Sequence, residues 1–249
     1  MTLAVVTGAS SGIGLEMARI CVAEGDDLIM IANEPEIHTA AGELRAEGIH
    51  ADQATAEGCA TILDAIGGRE VDLLFLNAGT SLVGTVQQQE MEEIERIIQT
   101  NILGTVRLAH PLCRRMVARG SGRILITGSI MGYMAGSWQT VYAGTKAFLN
   151  TFAVALGHEL QDTGVSVTCL MPGATETSFF TRAGLDDTAI GKMKKDDPAM
   201  VARAGYDAMI AGRAQITPTL KNKLQGAASE VMPAPLVAGL SERMFKPRD

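Results

Sequence analysis

Short apolar runs alternate along the chain with stretches of helical spacing. Leu3–Thr7 (L-A-V-V-T) is an apolar run closed by glycine, and a helical pattern carrying Leu15, Ala18, Ile20 and Cys21 follows it. Residues 28–32 form a second run, 37–47 read as helix, and a short strand is expected near 48–51. Helical spacing returns at 57–67, and 71–76 (V-D-L-L-F-L) has the character of a buried strand. A long helical pattern covers 90–119; Pro111 within it lacks an N–H and is expected to bend or divide the helix. Then come a strand at 123–127, a helix at 141–161 and a strand at Val165–Leu170. Unalternated apolar runs suit strands covered on both faces. The pattern therefore predicts an α/β fold with a doubly wound parallel sheet between two helical layers, as one domain over 1–249. Residues 172–198 are the polar, irregular exception, and the last forty predict no definite element.

Composition narrows the function classes. A net charge of -7 disfavours a long nucleic-acid interface, which needs a basic surface. Cys21, Cys59, Cys113 and Cys169 are widely spaced, without C-x-x-C, and read as buried thiols in a reducing, cytoplasmic compartment. The beginning M-T-L-A-V-V-T-G lacks the basic and apolar regions of a signal peptide, and no apolar stretch is long enough for a membrane span. His38, His50, His110 and His158 have no ligand-like spacing, so no metal is expected.

Chemistry enters with T-G-A-S-S-G-I-G. Gly8, Gly12 and Gly14 lie between the first strand and the first helix, where absent side chains permit close backbone approach and free N–H groups can receive a pyrophosphate. Ser10, Ser11 and Ile13 belong to the same turn. Asn33 ends the second strand, where an acid commonly holds the adenosine ribose. Asparagine brings no charge, and Glu34 beside it would repel a 2′-phosphate, so the reading inclines toward NAD over NADP. The alternative has Glu34 facing solvent and Arg45 or His38 meeting the phosphate. Asp52 is a candidate acceptor for the adenine amine, or a solvated turn residue. Asn77-Ala78-Gly79 is either a simple turn or a brace between strand ends with room for a cofactor.

Two of the three tyrosines, Tyr133 and Tyr142, fall in one stretch beginning at Ser129. On a helix, Tyr142 and Lys146 share a face, about 6 Å apart along the axis. An ammonium beside a phenol favours the phenolate, so Tyr142 is a candidate proton donor and acceptor, and Lys146 a candidate ribose ligand. Ser129, just past a strand, is placed to hold the same substrate oxygen. Their ordinary readings are a tyrosine covering Phe148, Phe152 and Leu156, and a lysine reaching for solvent.

Taken in order, T-G-A-S-S-G-I-G, N-A-G, Ser129, Y-A-G-T-K and M-P-G-A-T-E-T (171–177) resemble the short-chain dehydrogenase/reductase family in its compact form, over essentially residues 1–220. The resemblance implies a Rossmann-type three-layer sandwich and reversible hydride transfer between NAD or NADP and a carbonyl or secondary alcohol. It implies that Ser129 polarises the carbonyl, Tyr142 is the general acid or base, Lys146 holds the nicotinamide ribose, and Asn101 supports a water in the proton relay. Pro172, Gly173, Thr175 and Thr177 would pass beside the nicotinamide, residues near 178–200 would form a substrate lid, and the chain would assemble as a homodimer or homotetramer. Leu76 and Gly128 depart from the family's usual asparagine and serine, but neither removes a reacting group.

Three rivals share parts of this pattern. A non-catalytic nucleotide-binding regulator would have no need for the intact serine, tyrosine and lysine. A nucleotide-sugar epimerase needs a larger C-terminal substrate domain than the residues after Gly173 provide. A 3-oxoacyl-type reductase is the narrower enzymatic alternative. Phe179, Phe180, Leu185, Ile190 and Met193 in the lid suit an apolar substrate, and Lys192, Lys194 and Lys195 suit an anionic carrier or plain solvation.

Overall fold

The structure, a computed structural model, describes residues 2–247. The strands are β1 (Leu3–Thr7), β2 (Asp27–Ala32), β3 (Glu47–His50), β4 (Leu73–Leu76), β5 (Gly122–Thr127), β6 (Val165–Leu170) and β7 (Gln215–Ile216). They pair in parallel throughout, in the order β3-β2-β1-β4-β5-β6-β7. The helices are α1 (Gly12–Glu24), α2 (Ile37–Leu44), α3 (Ala56–Ile66), α4 (Met91–Ile98), α5 (Thr105–Arg119), α6 (Thr140–Glu159), α7 (Phe179–Arg182), α8 (Ala189–Lys192), α9 (Pro198–Ile210), α10 (Leu220–Val231) and α11 (Ala234–Phe245).

The uninterrupted apolar strands have a direct packing cause. Successive side chains point to opposite faces, and both faces are covered. Leu3 and Val5 of β1, with Leu74 and Leu76 of β4, join Ile62, Leu112 and Leu149 on one side. Ala4 and Val6, with Leu73 and Phe75, join Met17, Ala41 and Met209 on the other. The first layer is built by α3, α5 and α6, the second by α1, α2 and α9. A third cluster joins Phe180, Leu185 and Ile190 of the 178–200 segment to Phe245 of α11.

Several boundaries differ from the sequence expectation. The helix expected over 37–47 stops at Leu44, because Arg45 takes a left-handed φ of 54° and Glu47 already belongs to β3. Pro111 lies inside α5 without dividing it. The irregularity comes earlier, where Gln99–Gly104 forms a π-helical segment between α4 and α5. The segment ends where the chain passes close to the β3–α3 loop: a Cβ on Gly104 would lie 2.5 Å from the Gln53 carbonyl oxygen. The irregular 172–198 segment contains α7 and α8. The unassigned C-terminal stretch forms β7, α10 and α11. Thr219 caps α10 by accepting from the Asn222 N–H at 3.3 Å.

Candidate active site

The strand order reverses direction between β1 and β4, which opens a crevice at their carboxyl ends. A cavity of about 300 Å³ lies there, lined by the glycine turn, the ends of β2 and β4, Ser129, Tyr142, Lys146 and the 178–200 segment. At its floor, Gly8 and Gly12 have φ of 64° and 56°. A Cβ on Gly12 would meet Thr177 Cγ2 at 2.8 Å, and one on Gly14 would meet the Gly8 carbonyl oxygen at 2.1 Å. These are cradles that only glycine leaves open. No side chain caps the start of α1 and no acid stands in its first turn, so its N–H groups remain available to an anion.

The three strand ends around this turn are tied together by Asn77. Its Nδ2 donates to the Thr7 carbonyl at 3.2 Å, and its Oδ1 accepts from Thr127 Oγ1 at 3.1 Å. The adjoining Ala78 and Gly79 line the cavity, as do Ser10, Ser11, Ile13, Pro172, Gly173 and Thr175. Ser10 Oγ donates to Glu34 Oε2 at 3.0 Å, and Ser11 Oγ lies 3.3 Å from Ser178 Oγ.

The end of the cavity beside β2 is more crowded with charge than the sequence indicated. Asn33 turns its amide nitrogen to Glu34 and accepts from Arg96 Nη2 at 3.1 Å. Arg96, from α4, also forms an ion pair with Asp52, whose other oxygen accepts from the Ala54 N–H at 3.0 Å. Asp52 is thus already engaged. Its neighbour Gln53 has a buried Oε1 with no partner, and so has Thr100 Oγ1; both residues line the cavity. Unpaired buried acceptors are costly. Arg45 and His38, the alternative phosphate partners, do not line the cavity, whereas Arg96 and Arg182 do. Neither arginine adjoins the glycine turn or β2 in sequence, and that separation hid them from sequence reading.

At the other end, Ser129, Tyr142 and Lys146 converge. Ser129 follows β5; its Oγ accepts from the Met131 N–H at 3.1 Å and lies 3.4 Å from the Pro172 carbonyl. Tyr142 and Lys146 share one face of α6, with Nζ 5.7 Å from the phenol ring centre. Nζ donates to the Thr127 carbonyl at 2.7 Å, which fixes the lysine beneath the ring and away from solvent. Burial lowers the Lys146 pKa to about 8 and raises that of Tyr142 to about 12, the latter opposed by the Ser129 hydroxyl. In the chain alone the phenol is raised by its burial, and the influence that opposes this is the Ser129 hydroxyl rather than the expected ammonium.

Asn101 is fully buried in the π-helical segment. Its Nδ2 donates to the Thr80 carbonyl at 3.0 Å and to Thr145 Oγ1 at 2.9 Å, while its Oδ1 accepts from the Thr80 N–H at 2.9 Å. Both N–H donors are engaged, which makes the side chain a brace between the loop after β4 and α6. Over the cavity, Phe179 lies 5.6 Å from the Tyr142 ring, and α11 brings Met244 and Phe245 to the wall. The C-terminal contribution had no motif to announce it.

Residues 2–187 match the model of the short chain dehydrogenase family. The chain belongs to that family. It is 32% identical over 194 residues to the 3-oxoacyl-[acyl-carrier-protein] reductase FabG of Escherichia coli (strain K12), covering 76% of this chain and 79% of the relative. Among solved structures, a short-chain dehydrogenase from Sphingobium yanoikuyae in complex with NADPH superposes with a TM-score of 0.83 at 27% identity, over 94% of this chain and 98% of that one. A 3-ketoacyl-(acyl-carrier-protein) reductase from Brucella melitensis complexed with NADH gives 0.75 at 25% identity, over 87% and 94%.

Proposed function

We propose that this protein is an oxidoreductase transferring a hydride reversibly between NAD or NADP and a carbonyl or secondary alcohol, with Tyr142 as the proton-transfer residue. One observation carries the assignment of roles: Ser129, Tyr142 and Lys146 line the same cavity as an uncapped, glycine-walled helix start. The family and its NADPH- and NADH-bound members support the cofactor class. The glycine cradles and the unpaired Gln53 and Thr100 atoms fit a dinucleotide lying from the adenosine end to Tyr142.

When bound, the nicotinamide supplies or accepts the hydride. The chain's own part is to orient and to move a proton. Ser129 holds the substrate oxygen, and Tyr142 gives it a proton in reduction or removes one in oxidation. A phenol pushed up to about 12 stays protonated at neutral pH, so oxidation of alcohols, which needs the phenolate, should rise with pH. Lys146 supplies donors to the nicotinamide ribose, while Pro172, Gly173, Thr175 and Thr177 flank the nicotinamide. Asn101 is a positioning residue, with one remaining lone pair on Oδ1 for a relay water. Asp52 and Gln53 border the adenine.

We place the cofactor preference with NAD. Glu34 is turned toward the glycine turn by Ser10, where its carboxylate suits a ribose diol and opposes a 2′-phosphate. Glu34→Gln is expected to raise NADPH affinity about tenfold or more relative to NADH, the scale of one charge contact. Fluorescence titration with both cofactors reads it, and an unchanged ratio removes Glu34 from the discrimination. Assembly as a homodimer or homotetramer is supported by Met91, Ile98 and Leu103, exposed along the α4–α5 stretch. The four buried free thiols support a reducing, cytoplasmic setting.

Tyr142→Phe tests the central role. Cofactor binding should persist while turnover falls by about 10²–10⁴-fold. The measurement is reduced-nicotinamide absorbance against a panel of ketones and alcohols with NAD(H) and NADP(H). Full turnover by the variant overturns the assignment.

A further inference from the structure

The faces of α10 are reversed relative to a helix that packs on a core. Its buried residues are Asn222 and Gly226. Asn222 donates to Asp196 at 2.7 Å, and Gly226 passes close to Tyr133, where a Cβ would lie 3.4 Å from Cδ2 of the ring. On the opposite side, at about 100° per residue, Leu220, Leu224 and Val231 fall within about 40° of one another. They are 71%, 63% and 83% exposed, the three most exposed large apolar side chains among the described residues. Ala227 and Ala228 continue the stripe and are exposed as well. Single apolar residues are ordinary on a surface, but a stripe at helical spacing marks a contact. Leu236 and Leu240 of α11 add an exposed pair one turn apart, beside Pro235 and Gly239 in a surface groove.

The charge around the stripe is opposite in sign to that of the whole chain. Lys221 and Lys223 stand on either side of it on the helical wheel. Neither forms an ion pair among the described residues. From Leu220 to Lys246, Lys221, Lys223, Arg243 and Lys246 outnumber Glu230 and Glu242, whereas the chain carries a net charge of -7. Lys221 and Gln225 also line the cavity, so the stripe borders its mouth.

An outward apolar stripe between two unpaired lysines suits an anionic lipid leaflet. Aliphatic side chains enter the acyl boundary while the lysine stems reach back to the phosphates. A second copy of this chain fits less well. Against its own like, the patch meets its own charge; against the acidic remainder of another copy, the contact is heterologous and closes no symmetric pair.

We propose that α10, with Leu236 and Leu240 of α11, docks this protein reversibly on an anionic lipid surface. The helix would lie in the plane of the interface, which needs none of the length of a span; no helix among the described residues is long and apolar enough to cross a membrane. This docking goes beyond the hydride-transfer reading, and its test uses no substrate or cofactor.

The full chain is sedimented with vesicles of phosphatidylcholine alone and of phosphatidylcholine with phosphatidylserine, at about 0.1 M salt and again at about 1 M. Binding is expected to the serine-containing vesicles, about tenfold or more weaker to the neutral ones, and lost at high salt. Lys221→Gln/Lys223→Gln should lower the partition coefficient about tenfold or more. Leu224→Ser/Val231→Ser should lower it by a similar factor while leaving the charge unchanged. All four positions are exposed, so both variants are expected to fold. No binding to either vesicle, equal binding to both, or variants that bind like the wild type overturns the proposal. So does a wild-type oligomer, sized by light scattering, that Leu224→Ser/Val231→Ser breaks apart, because a second copy then covers the stripe.

Discussion

At the scale of the residue, Lys146 has two opposed influences acting on it. Burial disfavours its ammonium, and the Thr127 carbonyl at 2.7 Å holds it. A pKa lowered from 10.5 to about 8 means that the unfolded chain binds more protons than the folded one between those values. Stability therefore rises with pH across that window, and below it the full penalty of the buried charge is present. Lys146→Met is expected to flatten the wild-type rise in stability between about pH 8 and 10, by an amount on the order of a few kcal/mol. Urea melts at half-unit pH steps measure it; parallel curves for the two proteins would contradict the lysine's role. The convergence of Ser129, Tyr142 and Lys146 on one cavity was legible in the sequence from their spacing. The balance between desolvation and charge was not, since it depends on what α6 packs against.

At the scale of the element, the π-helical segment does what Pro111 was expected to do. α5 continues through Pro111, which forgoes one N–H bond of the helix. The widened turn instead places Asn101 so that its amide bonds both Thr80 and Thr145, joining the loop after β4 to the helix that carries Tyr142. Asn101→Ala would strand the half-buried Thr80 N–H and carbonyl and is expected to cost about 1–3 kcal/mol. Denaturant unfolding reads that loss, and a cost near zero would mean that the loop repairs itself. Sequence periodicity locates helices and strands through burial on one face. A π turn leaves that periodicity nearly intact, which is why nothing in residues 99–104 gave it away.

At the scale of the whole molecule, legibility tracks chain order. The first six strands and the helices between them follow from apolar runs, because both faces of the sheet need covering. β7 has only two residues, too few to show a pattern. α10 and α11 expose Leu220, Leu224, Val231, Leu236 and Leu240, so their apolar residues do not mark one buried face. They reach the site through one hydrogen bond and one packing contact: Asn222 of α10 donates to Asp196 at 2.7 Å, and Phe245 of α11 packs in the lid cluster. Arg96 and Gln53 are assembled by tertiary contact alone.

The single turn of α7 belongs to both halves of the cavity at once. Phe179 leans on the Tyr142 phenol, while Arg182 bonds Ser178 at 2.8 Å and stands 4.0 Å from Glu34 at the far end. A segment so short has no slack to absorb a shift at one side. Retuning this protein toward another coenzyme would therefore disturb its fit to ketones, and reshaping its grip on ketones would feed back on the coenzyme: the two selectivities have to be changed together.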